Sequence, residues 1–204
     1  MKEKNLNISL QKPALKKKTV IDIGAGYGRI LPQLAPLVKD IIAVEIDSKM
    51  FNELKRRSIK YTNVAVIQGD ANCLSRLLYG VELTMPVILS LQNSLGTWKG
   101  NSKKAIKQMR KIAEQKHGEI IISLFRQKAL REYGAKMYKS LKNLVGEIDL
   151  KKTEFKKGIF RSKTGYVSKW WTKNEMGEIK KILGGKIMKE ILSTSFYILH
   201  ISYK

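Results

Sequence analysis

The chain has 204 residues, enough for one domain with a full hydrophobic core, and its 43% of hydrophobic residues excludes a disordered chain. Lysine and arginine number 40 against 17 acids, a net charge of +23 that favours polyanions such as RNA, although lysines such as Lys103, Lys104, Lys107 and Lys111 also read as a solvated helix face. One cysteine, Cys73, excludes an internal disulfide and fits a reducing cytoplasm; cysteine and histidine are too few for a zinc site, and no apolar run approaches the ~20 residues of a membrane span, so neither metal nor membrane is expected.

Residues 1–18 form a polar, basic lead without the apolar segment of a secretory signal, and are read as an arm near the ligand cleft. Thr19–Ile23 follows as a buried parallel strand and runs straight into Gly24, Gly26 and Gly28, alternating with Ala25 and Tyr27. The spacing predicts a helix over Gly28–Val38, with Pro32 in its first turn. Glycines are needed where backbone turns at positive φ or meets a ligand closely. A dinucleotide loop would require a glycine where Arg29 stands. What stands is D-x-G-x-G-x-G, with a carboxylate two residues before the turn, which repels a pyrophosphate and suits a cationic ligand. An ordinary strand–turn–helix that binds nothing is the bland alternative.

This stretch resembles motif I of the class I S-adenosylmethionine-dependent methyltransferases. The resemblance implies that Asp22 serves the methionine ammonium and that Gly24, Ala25, Gly26 and Gly28 lie beneath the cofactor, S-adenosylmethionine. A second strand, Ile41–Glu45, precedes a helix over Lys49–Lys60 that Asp47 or Ser48 caps. By the same resemblance Glu45 receives the ribose hydroxyls and Ile46 lies against the adenine face. The third strand, Asn63–Gln68, ends at Gly69, and Asp70 with the Ala71 amide matches the positions that meet the adenine edge.

Pro86–Leu91 reads as a central strand, and its carboxyl end, with Leu91 at the cofactor, leads into Gln92–Trp98 beside the expected methyl site. That loop has no N/D-P-P-Y, the mark of many exocyclic-amine methylating enzymes of nucleic-acid bases, and no Pro-Cys. It is similar to the N-S-x-G loop of glycine-type and other small-molecule N-methyltransferases, which makes Asn93 a candidate for holding the nucleophile and Tyr27 or Trp98 a candidate wall; equally, Asn93 and Ser94 can cap the next helix.

An amphipathic helix, Ser102–Lys116, turns Ile106, Met109, Ile112 and Ala113 inward, and Glu119–Phe125 is the fifth strand. Residues 126–171 lie outside the minimal sheet and read as a substrate lid: a helix over Lys128–Val145, then β-like runs Glu147–Phe155 and Ile159–Trp171 joined near Lys157-Gly158. Tyr133 and Trp170 are its candidate substrate contacts; the mixture of Lys, Arg and aromatics suits base stacking or, equally, a hairpin with a buried aromatic face. Thr172–Glu175 is a capping box opening a helix to Leu183, and Lys186–Leu192 with Phe196–Tyr203 forms a closing hairpin.

The expected fold is a three-layer, doubly wound α/β domain over residues 1–204; the resemblance to the methyltransferases, whose hallmark is a closing antiparallel hairpin, implies sheet order 3-2-1-4-5-7-6 with strand 7 antiparallel, and the lid is inserted after strand 5. The expected activity is direct methyl transfer to nitrogen or oxygen of a small-molecule acceptor. The alternatives are an RNA methyltransferase (tRNA or rRNA) and a non-catalytic module of the same fold; intact Asp22, glycines and Glu45 argue against the last. His117 and His200 read as structural.

Overall fold

The computed structural model describes residues 15–97 and 101–204. Its strands are β1 (Thr19–Ile23), β2 (Asp40–Glu45), β3 (Val64–Gln68), β4 (Val87–Ser90), β5 (Glu119–Phe125), β6 (Ile159–Arg161), β7 (Val167–Lys169), β8 (Lys186–Leu192) and β9 (Phe196–Ser202). Seven of them form one sheet in the order β3-β2-β1-β4-β5-β9-β8, with β1 to β5 parallel and β9 antiparallel to both its neighbours. With the separate β6–β7 pair set aside, this is the predicted topology.

The central strands are near-continuous Val and Ile runs because both faces are covered. Val20, Ile41, Ala43 and Leu89 face one core with Leu31, Ala35 and Leu54. Ile21, Ile23, Ile88 and Ile120 face the other with Ile106, Met109, Ile112 and Leu183. Helices α1 (Leu31–Leu34) and α2 (Ser48–Ser58) cover the first face, while α3 (Leu74–Leu77), α5 (Ser102–Gln115) and α8 (Lys173–Leu183) cover the second; the single turn α4 (Ser94–Thr97) follows β4.

The first helix is shorter than predicted. Pro36 has no N–H to donate and its ring crowds the carbonyl four residues back. The α-turn therefore ends at Leu34, and Ala35–Leu37 winds as a 3-10 turn. Asp47 caps α2, accepting from the Met50 amide at 2.9 Å. Both halves of the Thr172–Glu175 capping box are made at the start of α8.

The segment read as a lid, residues 126–171, has a core of its own from Leu130, Tyr138, Val145, Phe160 and Trp170. The Tyr138 and Phe160 rings stack with centroids 3.7 Å apart, and Trp170 Nε1 donates to the Tyr138 hydroxyl at 2.9 Å. Its helix is broken into a 3-10 turn, a π-type turn at Leu130–Gly134, α6 (Ala135–Ser140) and α7 (Lys142–Val145). A Cβ on Gly134 would stand 2.9 Å from the Trp170 ring, so this wide turn is where the indole lies against backbone. The predicted strand over Glu147–Phe155 does not form. Asp149 instead accepts from the Lys151 and Lys152 amides in a local turn, which competes with ladder pairing. Only the isolated bridges Ile148–Ser162 and Glu154–Ile159 remain, and the hairpin is β6 against β7. Among the described residues, no helix is long and apolar enough to cross a membrane, and no cluster of three or more His, Cys, Asp or Glu side chains can hold a metal.

Candidate cofactor and acceptor site

The carboxyl ends of β1, β2 and β4 converge on the glycine turn. The Gly24 and Ala25 amides donate to the Val44 carbonyl of β2 at 2.9 and 3.1 Å, which ties the turn to the neighbouring strand. Gly24, Gly26 and Gly28 all have positive φ, between 58° and 76°. A Cβ on Gly28 would strike Leu54 at 2.7 Å and one on Gly24 would strike Ser94 at 2.8 Å, whereas nothing lies within 4 Å above Gly26. The first and third glycines thus serve packing, and the middle one faces open space.

Asp22, on β1 beneath the turn, is only 4% exposed. Among the described residues no donor reaches its carboxylate. Burial, then the nearby charge of Glu45, pushes its pKa up to about 7. A buried acid without a donor is stabilised by a cation arriving from outside. This fits the ammonium of S-adenosylmethionine, and the open backbone at Gly26 fits the close approach such a ligand needs.

Glu45 ends β2 and accepts three amides: Gly26 at 2.7 Å on one oxygen, Ile46 and Asp47 at 2.9 Å on the other. It therefore braces the glycine turn as well as standing where a ribose is expected. Ile46, 50% exposed, is free to cover a flat ring. Asp70 spends one oxygen on the Asn72 amide and side chain, capping a 3-10 turn whose first residue is the buried Ala71. Leu91 lies partly buried against the core at the end of β4.

Asn93, the candidate for holding the nucleophile, is enclosed by protein partners. It is 1% exposed, at φ 64° after Gln92 at φ 53°. Its Oδ1 accepts from Trp171 Nε1 at 2.9 Å and from the Phe125 amide at 3.1 Å. Its Nδ2 donates to the Lys169 carbonyl at 2.8 Å and to Ser168 Oγ at 3.3 Å. All its polar capacity goes to seating the lid on the ends of β4 and β5. Ser94 Oγ donates to the Leu91 carbonyl at 2.6 Å and lies 3.3 Å from the Gly24 carbonyl, closing the β4 turn onto the glycine turn.

Tyr27 is not brought together with Asn93. Its ring lies under the Arg57 guanidinium, 4.6 Å from centroid to Cζ, on the α2 side of the turn. Trp98 lies outside the described residues, as do residues 1–14 of the basic lead. Trp170 is fully buried in the lid core and offers no face to a substrate, whereas Tyr133 is 44% exposed.

Tyr133 lines a cavity of about 380 Å³ between the lid root and the β8–β9 turn, with Arg126, Lys128, Ser193, Thr194 and Ser195. Arg126 reaches the Ser193 carbonyl, and its own amide donates to the Ser195 carbonyl at 2.9 Å. A second cavity, about 510 Å³, runs between α1 and α2 past Gly28 and Arg29. Neither was legible in the sequence, because each joins segments far apart in the chain; the only local trace is the dense run of cations around Arg56 and Arg57.

A model of the ribosomal RNA adenine dimethylase family matches residues 3–76. A probable ribosomal RNA small subunit methyltransferase A of Methanosarcina acetivorans is 43% identical over 53 residues, 26% of this chain and 20% of that protein. A ribosomal RNA small subunit methyltransferase of Arabidopsis thaliana is 43% identical over 65 residues, 30% of this chain and 18% of that protein. The matched stretch thus spans about a fifth of these relatives, and the family match stops before the β4 turn and the lid. Among solved structures, the CcbJ methyltransferase of Streptomyces caelestis superposes with TM-score 0.65 at 16% identity, covering 92% of this chain and 84% of that one. The N-methyltransferase NodS of Bradyrhizobium japonicum, in complex with S-adenosyl-L-homocysteine, does so at 0.56 and 13%, covering 91% and 77%. Strand order, the antiparallel β9 and the acid-before-glycine turn together give this chain the fold of the class I S-adenosylmethionine-dependent methyltransferases.

Proposed function

We propose that the chain is an S-adenosylmethionine-dependent methyltransferase that acts on RNA. The observation that carries the first half is Asp22, buried, without a donor among the described residues, beneath an open glycine turn. When bound there, the cofactor supplies a sulfonium-activated methyl group. The protein's part is to hold and desolvate. Asp22 takes the ammonium, Glu45 and Ile46 flank the nucleoside, and the seated lid excludes water beside β4. No residue need act as a strong base for a neutral amine acceptor. Asn93 is a positioning residue, acting through Trp171 and the β7 strand.

The RNA acceptor is supported by the net charge of +23 and by the names of the relatives that match the cofactor half. The motif that favoured a small amine has lost its main residue to the lid, since Asn93 has no group left to offer. A small-molecule acceptor remains the second reading, favoured by the 380 Å³ cavity at Tyr133, a volume suited to one small ligand.

Methyl-labelled S-adenosylmethionine incubated with the protein and an extract of its own cells tests both readings. Label in RNA that disappears with Asp22→Ala supports the first. Label confined to small molecules selects the second. Cofactor binding with no transfer to any fraction overturns both and leaves a binding module.

A further inference from the structure

We infer that the groove between α1 and α2 is the track on which the phosphodiester backbone of the acceptor RNA lies; the inference rests on the RNA reading above. The groove, about 510 Å³, is walled by Arg29 from one side and by Arg56, Arg57 and Lys60 from the other. The chain is dominated by lysine and has eight arginines, yet three of them meet here. Arginine is the side chain suited to phosphate, because its planar fork donates two parallel hydrogen bonds and sheds water readily.

The cations are also held in place. Glu53 is shared: Arg56 donates to both its oxygens at 2.8 and 2.9 Å, and Arg57 Nε donates to one of them at 2.6 Å. Those bonds, Arg56 first and Arg57 second, pull the Glu53 carboxyl down to about 2. One carboxylate thus orders two guanidinium groups without cancelling the four cations around the groove. Arg57 donates only its Nε to Glu53, so both of its terminal nitrogens remain for a ligand. Tyr27 lies under Arg57, and Lys60 stands 5.2 Å from the Tyr61 ring that lines the groove, so two of its cations stand beside aromatic rings. Such pairing of cations with rings suits a single strand, whose phosphates and bases are both accessible.

Position adds the link to chemistry. The groove opens at Gly28, the last glycine of the cofactor turn, and Tyr27 belongs to that turn. A strand held along it passes the edge of the cofactor cradle on the β2 side. The Arg126 cavity lies on the β5–β9 side. An RNA anchored in the groove can therefore cross the top of the sheet to deliver a base beside β4.

The test is fluorescence anisotropy with a labelled single-stranded RNA of about 20 nucleotides, titrated at several salt concentrations. Arg29→Glu with Lys60→Glu reverses two groove charges and leaves the Glu53 pairs intact. Lys107→Glu with Lys111→Glu reverses two exposed charges on α5, across the sheet. The groove pair is expected to weaken RNA binding at least tenfold more than the α5 pair, and to lower the salt slope by about 2, one per lost phosphate contact. Affinity for S-adenosylmethionine and the melting temperature serve as folding controls. The neutral pair Arg29→Gln with Lys60→Gln gives the same ranking should the reversal fail to fold. Equal losses from both pairs overturn the groove and return the charge to a general coat, even if RNA is the methyl acceptor. A wild-type protein that methylates small molecules and does not hold RNA overturns the acceptor reading itself.

Discussion

Asp22 and Asn93 both look like reactive groups in the sequence, and burial separates their roles. Asp22 has no donor among the described residues and its pKa stands at about 7 against an ordinary 3.8. Between those values the unfolded chain has released the proton while the folded one retains it. Stability from this group is therefore lost as pH rises from about 4 to 7, by on the order of 4 kcal/mol. Asp22→Asn removes that cost. In denaturant titrations without cofactor it should be more stable than wild type at pH 8 and equal to it at pH 4, while binding of S-adenosylmethionine by calorimetry is lost. In the wild type the same linkage makes cofactor affinity fall below pH 7, by up to about tenfold per unit, because the ammonium needs the ionised acid. An affinity flat from pH 5 to 8 would refute the assignment of Asp22 to the ammonium. Asn93→Ala presents the opposite case. It leaves the Trp171 indole N–H and the Phe125 amide unpaired in a buried site, a cost of roughly 2–6 kcal/mol at one to three per group. It should unseat the lid, read as a red shift in tryptophan fluorescence, with cofactor affinity little changed.

Among the elements, legibility follows the kind of force involved. Strands β1, β4 and β5 were readable because their uninterrupted apolar runs suit burial on both faces of a parallel sheet, whereas the edge strand β8, exposed along most of its length, was read from the tight link to β9. The glycine turn was readable because Asp22 and three positive-φ glycines are close in sequence. Helix α1 was overread because Pro36 outweighs the apolar pattern around it. In the lid two β-like runs were expected; the Asp149 turn won over the first, and the second folds back on itself as the hairpin of β6 and β7. Asn93 stands out in the loop after β4, but its partners Ser168, Lys169 and Trp171 were not legible, since they lie far along the chain. The lid's shape rests on its glycines, and two of them give contrasting predictions. Gly158 sits at φ 68°, and a Cβ there would stand 2.1 Å from the Trp170 carbonyl oxygen. Gly165 sits at φ 89° in open space. Gly165→Ala should cost only the backbone term, about 1–2 kcal/mol. Gly158→Ala adds a clash with backbone that cannot move away, and should cost at least twice as much. Hydrogen exchange across β6 and β7 measures the difference; equal protection in the two variants would mean that the hairpin relaxes freely.

At the scale of the whole molecule, the ligand end and the opposite end of the sheet answer pH in opposite senses. Opposite the cleft, Glu119 at the start of β5 gathers His200 at 3.0 Å, Lys18 at 2.8 Å and Lys204 at 3.0 Å. Hydrogen bonds from His200, Lys18 and Lys204 hold its carboxyl far below the usual range. A depressed carboxyl contributes stability above its unfolded pKa of about 4.5, and that contribution fades as pH falls through the folded value. The cluster joins the chain just before β1, the start of β5 and the end of β9, so it closes the sheet around the central strands. Glu119→Gln leaves Lys18 buried without its counter-charge, which should cost roughly 3–5 kcal/mol at pH 7. Below about pH 4.5 the unfolded chain takes up the proton first and the contribution of the wild-type carboxylate fades, so the two proteins should draw together toward pH 2. Because +23 of net charge already favours expansion in acid, the wild type should unfold cooperatively as this contribution fades. A gap between Glu119→Gln and wild type that stays constant from pH 7 to pH 2 would mean that the residue acts through packing, with its charge irrelevant. With Asp22 assigned to the ammonium, as proposed, cofactor binding is tied to the loss of a proton at one end of the sheet, and Glu119 ties folding to the loss of a proton at the other. Unfolding measured at each pH with and without S-adenosylmethionine separates the two: the cofactor's stabilisation should grow up to pH 7 in the Glu119→Gln protein as it does in the wild type.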